Sequence, residues 1–391
     1  MSVSVADPQT LRDGVREIAR GIAAQHADDV DRQGRFPQET IDALRDAGAL
    51  GAFVPGALGG GGVSLRVLAE CCQDLAGACA SSAMVLAMHQ IKVTSLTRHL
   101  DPGSYFESFL AEVAADGRLI ASVTSEIGTG GDMGRSIAAV SEAGGGLMQF
   151  EKQAPTVSYG LYADDLFTTV RRSPEAEPGD QVVVVTRREQ NELEPAGTWD
   201  VLGMRGTCSP GFTLRARFPA EQIVGTPFSR VATESMVPIS HILWSHVWLG
   251  IAEDAFGRAR AFVRAAAKRK PGGPLPAAQR LSHLMSELSL LRAEVSAALT
   301  EFEAADREPG RPRLSNMSTI LRFNNLKIAA SEKSAEVCRG ALEVCGIMGF
   351  KNDTPFSVGR NLRDAMSGAL MIANERIHDT NAGLLLIAKD V

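Results

Sequence analysis

The stretch NERIHD, Asn374 to Asp379, sets a carboxylate, a guanidinium and an imidazole side by side within apolar helical sequence. Glu375 is a candidate proton acceptor, provided it comes within about 3 Å of the proton it takes. A plainer reading stands beside that one, in which Glu375 and Arg376 form a solvated ion pair. A second cluster, TSEIGTGGD, Thr124 to Asp132, combines hydroxyls with backbone N–H groups freed by Gly128, Gly130 and Gly131. Such a loop can donate to an atom on which negative charge collects, and on its own it is as readily a simple turn. His89, in LAMHQIKV, lies on an apolar stretch and reads either as a catalytic imidazole or as a hydrogen-bonded core residue. His241, His246 and His378 fall in helical segments further on.

Three regions of different periodicity must position these groups. Residues 8 to about 115 read as helices punctuated by Pro37 and by the glycine-rich PGALGGGG loop. No strand feeds that loop and no Lys-Ser/Thr follows it, so it reads as a helix connection rather than a phosphate cradle. From about 117 to 220, GRLIASVT, LMQF, DLFTTVRR, QVVVVTRR and GFTLRARF read as strands of a small β domain. Beyond about 233 helix returns, with one apolar stripe at Leu281, Leu284, Leu288, Leu291, Val295, Leu299 and Phe302 and another at Leu326, Ala330, Val337, Ala341, Val344 and Ile347. Two such stripes require partner helices, as in a bundle. The expected division is a helical domain over 1–116, a β domain over 117–232 and a four-helix bundle over 233–391, an α+β fold that is mainly helical.

A chain of 391 residues, 45% apolar and 22% charged, is that of a globular protein. The net charge of −6 and the lack of basic clusters with interleaved aromatics argue against nucleic acid or an anionic membrane as partner. The opening helix has neither the apolar core of a signal peptide nor the length of a membrane span, which predicts a cytoplasmic protein. Cys71, Cys72, Cys79, Cys208, Cys338 and Cys345 form no CxxC pair, and no histidines stand at metal-ligand spacing. They read as reduced and mostly buried, with no metal site.

Taken together, these motifs resemble the acyl-CoA dehydrogenases over nearly the whole chain. TSEIGTGGD resembles the family's Thr-Glu-Pro-x-x-Gly-Ser-Asp loop along the flavin ring, with Ser125 in place of its threonine and Gly130 in place of its glycine. A hydroxyl and free N–H groups there suit the carbonyl and N1 edge of an isoalloxazine. EKQAPTVSYG resembles the stretch in which a Trp-x-Thr covers the flavin. Thr156 takes the tryptophan position and Ser158 the threonine position, so the hydroxyl is kept and the indole is lost; the other reading of Ser158 is a strand-end serine.

WDVLGMRGTCSPG resembles an architectural Gly-x-Arg-x-(Ser/Thr) turn. KRKPGG stands where the family has Arg-x-x-Phe-Gly, which makes Lys268 and Arg269 the cations for an FAD pyrophosphate of a neighbouring subunit, with Pro271 where the family has phenylalanine. CGIMGF resembles Gly-Gly-x-Gly-Phe, which implies that Gly346 and Gly349 touch FAD across a subunit interface. The resemblance therefore implies FAD as cofactor and a homotetramer or homodimer.

Arg363-Asp364-Ala365 matches the family's Arg-Asp-Ala, and counting forward puts Ile372, Ala373 and Asn374 on its catalytic Glu-Gly-Thr. The alternative base position, on the first bundle helix, falls on Ser240. Glu375 lies three residues past Ile372, so on one helix the two would share a face with the backbone displaced by roughly 4.5 Å.

The resemblance implies, first, an α,β-dehydrogenase of acyl thioesters on CoA or carrier protein, an oxidoreductase acting on CH–CH groups. Glu375 or an unidentified base would take the α-proton while the β-hydride passes to the flavin. The alternative is a monooxygenase of the same fold, with a flavin hydroperoxide supported by Ser158 and His89 and no carboxylate base. A third reading is a non-catalytic subunit of a hetero-oligomer. Acyl length and electron acceptor are not legible.

Overall fold

The computed structural model describes residues 8–269 and 276–388. Helix α1 (Pro8–Ile18) runs through a π-turn at Ala19–Ala23 into α2 (Ala24–Gln33), and α3 (Gln38–Asp46), α4 (Leu65–Ala76), α5 (Ala80–Arg98) and α6 (Tyr105–Asp116) follow. The Ser64 hydroxyl accepts from the Val67 N–H and caps α4. Helix α5 is buried along almost its whole length, polar Ser82, His89, Gln90 and Lys92 included, and acts as the spine between the other helices and the strands. The glycine-rich loop before α4 folds back on residues 51–54, with Gly61 and Gly62 donating to the carbonyls of Gly51 and Val54. Its N–H groups are spent on the chain itself, in line with a helix connection.

Strands follow: β1 (Ile120–Val123), β2 (Ser141–Gly144), β3 (Leu147–Ala154), β4 (Asp165–Arg171), β5 (Gln181–Arg187), β6 (Asn191–Pro195) and β7 (Phe212–Pro219). They form two sheets, of order β1-β4-β5 and β2-β3-β7-β6. The Val182–Val185 run is buried on both faces, each side chain contributing on the order of 1.5–3 kcal/mol relative to exposure. Strands β2 and β6 went unread in the sequence because both are half-exposed edge strands of polar residues, without an apolar alternation.

Helices return as α7 (Phe228–Val231), α8 (Val237–Arg269), α9 (Pro276–Asp306), α10 (Met317–Cys345), α11 (Ile347–Phe350), α12 (Gly359–Met366) and α13 (Asn374–Leu385). Helix α8 is the axis, packed by α10, α9, α4 and α5. Leu284, Leu288, Leu291, Val295, Leu299 and Phe302 are buried on α9 as the stripe predicts, and so are Leu326, Ala330, Val337, Ala341 and Val344 on α10. Ile347 departs from its stripe: it is 68% exposed, because α10 ends at Cys345 and Gly346 turns the chain at a φ of 56°.

Candidate active site

One corner of the β region gathers the hydroxyls. Ser125 Oγ donates to the Thr156 carbonyl at 2.9 Å and lies 3.2 Å from Thr156 Oγ1. Ser158 Oγ accepts from Ser209 Oγ at 2.9 Å. The loop that carries Ser125 is anchored from below by Glu126, which is buried and takes hydrogen bonds from Ser136 Oγ (2.6 Å), the Ala138 N–H (2.6 Å) and the Ile137 N–H (3.1 Å). Lys152 Nζ stands 3.5 Å from Glu126 and donates to the Thr169 carbonyl at 2.5 Å. Burial pulls the Lys152 pKa down to about 8, and Glu126 opposes that shift. Sequence reasoning missed this pair. The signal was there: in β3, Phe150, Lys152 and Ala154 alternate inward, and an inward lysine needs a buried acceptor.

His89 is placed away from any catalytic use. Its Nε2–H donates to the Leu50 carbonyl at 2.8 Å, and Nδ1 accepts from the Ile120 N–H at 3.0 Å. Both nitrogens are occupied, which fixes the tautomer, and burial pushes the pKa down to about 4. Tyr159 Oη donates to the Ile120 carbonyl at 3.0 Å, so His89 and Tyr159 hold the two sides of one β1 residue. The expectation of a catalytic or oxygen-supporting His89 is corrected on this ground: the imidazole has no free edge. His241 and His246 are likewise buried and bonded to the carbonyls of Phe323 and Ile242.

The C-terminal segment docks on the Gly203–Arg205 turn. Arg363 forks onto Asp31 and donates to the Leu202 carbonyl at 2.9 Å. Asp364 accepts from the Met204 N–H at 2.6 Å, and burial pushes its carboxyl up to about 6. Only glycine fits at 203, because a Cβ there would lie 2.1 Å from the Arg363 carbonyl oxygen.

Beyond α12 the chain turns through 367–373 and does not re-enter helix until Asn374. Ile372 sits at a φ of 47°, left-handed and unusual for a β-branched residue. Lys327 Nζ, on α10, holds it there by donating to the Ile372 carbonyl at 2.7 Å and to Asn374 Oδ1 at 2.6 Å. Asn374 Nδ2 in turn donates to Ser331 Oγ and Glu332 Oε1, each at 3.1 Å.

The assumption that Ile372 and Glu375 share a helical face fails here, since the left-handed turn stands between them. Glu375 is exposed in the first turn of α13, with no hydrogen bond or ion pair among the described residues, so the Glu375–Arg376 pair is not formed either. The Arg376 guanidinium instead lies over Gly131 of the hydroxyl-bearing loop: a Cβ at Gly131 would meet Arg376 Nη1 at 1.9 Å. The indole N–H groups of Trp244 and Trp248 on α8 are buried without a partner among the described residues, and Lys327 Nζ is 5.8 Å from the Trp248 ring.

The expected phosphate cations lie elsewhere. Lys268 and Arg269 are exposed at the end of α8, and Lys268 lines a groove of about 300 Å³ with Arg260 and Arg264. None of these three groove cations is paired among the described residues. Pro271 lies outside the described residues. Gly346 precedes α11 and Gly349 lies within it; Gly349 is buried, and a Cβ there would meet Cys345 Cβ at 2.6 Å. Neither group shares a hydrogen bond with the Ser125–Ser158 corner among the described residues.

Family models for the acyl-CoA dehydrogenase N-terminal and C-terminal domains match residues 6–102 and 231–372. The chain belongs to the acyl-CoA dehydrogenase family. Its relatives include acyl-CoA dehydrogenases and nitrososynthases. It is 28% identical to the L-evernosamine nitrososynthase of a Micromonospora species, over 93% of this chain and 86% of that protein. It is 24% identical to the mouse mitochondrial short-chain specific acyl-CoA dehydrogenase, over 91% of this chain and 83% of that one. The solved structure of KijD3 in complex with FMN and dTDP-3-amino-2,3,6-trideoxy-4-keto-3-methyl-D-glucose has the same fold, with a TM-score of 0.84 at 24% identity, covering 98% of this chain and 95% of that one. No helix among the described residues is long and apolar enough to cross a membrane.

Proposed function

We propose that the chain is a flavin-dependent monooxygenase built on the acyl-CoA dehydrogenase fold, acting on a nucleophilic heteroatom such as the amine of a small polar substrate. The observation that carries this reading is Ile372. Counting forward from Arg363-Asp364-Ala365 puts it at the family's catalytic glutamate position, its carbonyl is held by Lys327, and Glu375, the carboxylate nearest in sequence, follows a left-handed turn. Oxygenation of an amine needs no base to take a carbon-bound proton, whereas dehydrogenation of a thioester does. The likeness to an amino-sugar nitrososynthase, and to KijD3 with its FMN and amino-sugar nucleotide, supports the same direction.

The corner fits a flavin: the half-buried Ser158 hydroxyl has no acceptor of its own among the described residues, and beyond its chain neighbours nothing described lies within 4 Å of where a Cβ at Gly130 would stand, with the Arg376 guanidinium beside it over Gly131. Ser125, Ser158 and the Gly130 turn would hold the ring. From a second copy, Lys268 and Arg269 would meet the phosphates of FAD, and Gly346 and Gly349 would lie beside it; FMN would use the ring site alone. Bound flavin supplies two-electron chemistry toward carbon or dioxygen, and the protein orients the ring and excludes water. The exposed Ile347 and Phe350, the latter 71% exposed, support a homo-oligomer in which α11 meets another copy. The division at 116/117 and 232/233 remains our reading of the domains.

The second reading is the acyl-thioester dehydrogenase, on CoA or carrier protein. What favours it is that Glu375 has no partner among the described residues and is therefore available as a base. Purified protein loaded with FMN or FAD distinguishes the two. Oxygen uptake on addition of reduced flavin and an amino-sugar nucleotide, with no anaerobic bleaching by acyl-CoAs of several lengths, supports the monooxygenase. Bleaching by a thioester that is lost in Glu375→Gln overturns it in favour of the dehydrogenase.

A further inference from the structure

The turn after β6 brings three hydroxyls into a line that leads out of the core. Thr207 Oγ1 lies 2.9 Å from Ser209 Oγ, which lies 2.9 Å from Ser158 Oγ. Thr207 and Ser209 are buried, and Ser158, half-buried, is the outer end. The line depends on unusual backbone: Met204 and Cys208, which bracket Thr207, have φ of 53° and 42°, and Tyr159, next to Ser158, has φ of 43°.

Each hydroxyl has a single hydrogen to give. Ser209 gives its own to Ser158, with a longer alternative of 3.2 Å to the Thr207 carbonyl. Thr207 chooses between Ser209 and the Met204 carbonyl, the latter at 2.9 Å. Ser158 therefore accepts from behind, and its own hydrogen has no acceptor among the described residues. Ser125 is the contrast, because its hydrogen is committed to the Thr156 carbonyl. Of the two hydroxyls that the sequence assigns to the ring, only Ser158 keeps a hydrogen for a ligand.

We propose that Ser209, backed by Thr207, is a positioning residue that commits Ser158 as a hydrogen-bond donor to the flavin. This rests on the flavin reading above. A serine hydroxyl left alone rotates freely and must be ordered on binding; one that already accepts a hydrogen bond from a buried donor is ordered beforehand.

The test is titration of FMN and of FAD into wild type, Ser209→Ala, Ser158→Ala and the double variant, followed by flavin fluorescence and by the position of the visible absorption band. Each single variant loses affinity by roughly two- to tenfold and shifts the band, and the double variant is no worse than Ser158→Ala. Ser209→Thr restores wild-type behaviour. The proposal falls if Ser209→Ala binds like wild type, or if its loss is undiminished in the Ser158→Ala background, which would make Ser209 merely structural. Should Ser209→Ala not fold, as judged by far-UV circular dichroism, Thr207→Val tests the same line: its loss must also vanish without Ser158. If the wild type binds neither FMN nor FAD, the flavin reading itself is overturned and this inference with it. Binding by the wild type with no effect of Ser209→Ala overturns this inference alone.

Discussion

Lys327 Nζ reaches across to the Ile372 carbonyl at 2.7 Å, tying the middle of α10 to the segment between α12 and α13, where the motif resemblance would put a catalytic glutamate. The lysine is the reason that a β-branched residue rests in left-handed backbone. Replacing it with methionine removes the donor to the Ile372 carbonyl and leaves Asn374 Oδ1 only the longer bond from Ser331 Oγ, at a cost of about 1–3 kcal/mol. Chemical denaturation of Lys327→Met measures that loss, and flavin titration of the same variant shows whether the turn also shapes the site.

Lys327 also carries a pH signature. Desolvation lowers its pKa from 10.5 to about 8. The folded chain then binds fewer protons than the unfolded chain between those values, so this group makes stability rise with pH from about 8 to 10.5. Thermal melting across that window shows a shallower rise in Lys327→Met than in wild type.

Lys92 gives a prediction of opposite sign for mutation. It is buried on α5, 5.3 Å from the Phe167 ring centroid, with no hydrogen bond or ion pair among the described residues. Desolvation alone lowers its pKa from 10.5 to about 7. An uncompensated buried charge is costlier than an apolar side chain of similar length, so Lys92→Met stabilises the fold by about 1–4 kcal/mol at pH 6. The gain is full below about pH 7 and fades as pH rises to 10.5, where the unfolded lysine also loses its proton. A melting temperature for Lys92→Met below that of wild type at pH 6 would contradict this.

These lysines mark the limit of what the sequence made legible. The helix–strand–helix order and the stripes on α9 and α10 came from periodicity, because burial of one face imposes a period that composition reveals. Glu375 was misplaced because a left-handed Ile372 leaves no trace in residue types: isoleucine is among the last residues one would put there. Lys327 was invisible because its partner is a backbone carbonyl, which every residue has, 45 positions away. His89 was visible as an imidazole on an apolar helix, but only the fold shows that Leu50 and Ile120 consume both nitrogens.

The docking of Arg363-Asp364 is a backbone fit, and it predicts a severe glycine effect. A Cβ at residue 203 would sit 2.1 Å from the Arg363 carbonyl oxygen and 2.7 Å from the Asp364 nitrogen, both main-chain atoms that cannot rotate away. Gly203→Ala therefore costs about 3 kcal/mol, at the upper end for overpacking, and loosens the whole C-terminal segment. Protease sensitivity of residues beyond Arg363 rises in step with the loss of stability.

Glu126 and Lys152 pose the last test, because the pair is buried and its members cost more apart than together. Glu126→Gln leaves Lys152 charged and buried with only the Thr169 groups for company, and it weakens the carboxylate that gathers Ser136, Ile137 and Ala138. Breaking one side of such a pair costs about 3–5 kcal/mol. Adding Lys152→Met removes the orphaned charge, so the double variant recovers much of that loss even though it has lost both groups. What it does not recover is the loop: with no carboxylate to collect the two N–H groups and the Ser136 hydroxyl, the turn that carries Ser125 and Gly130 is no longer fixed. The double variant is therefore near wild type in denaturation and still weakened in flavin titration, a separation that a purely structural role for Glu126 does not produce.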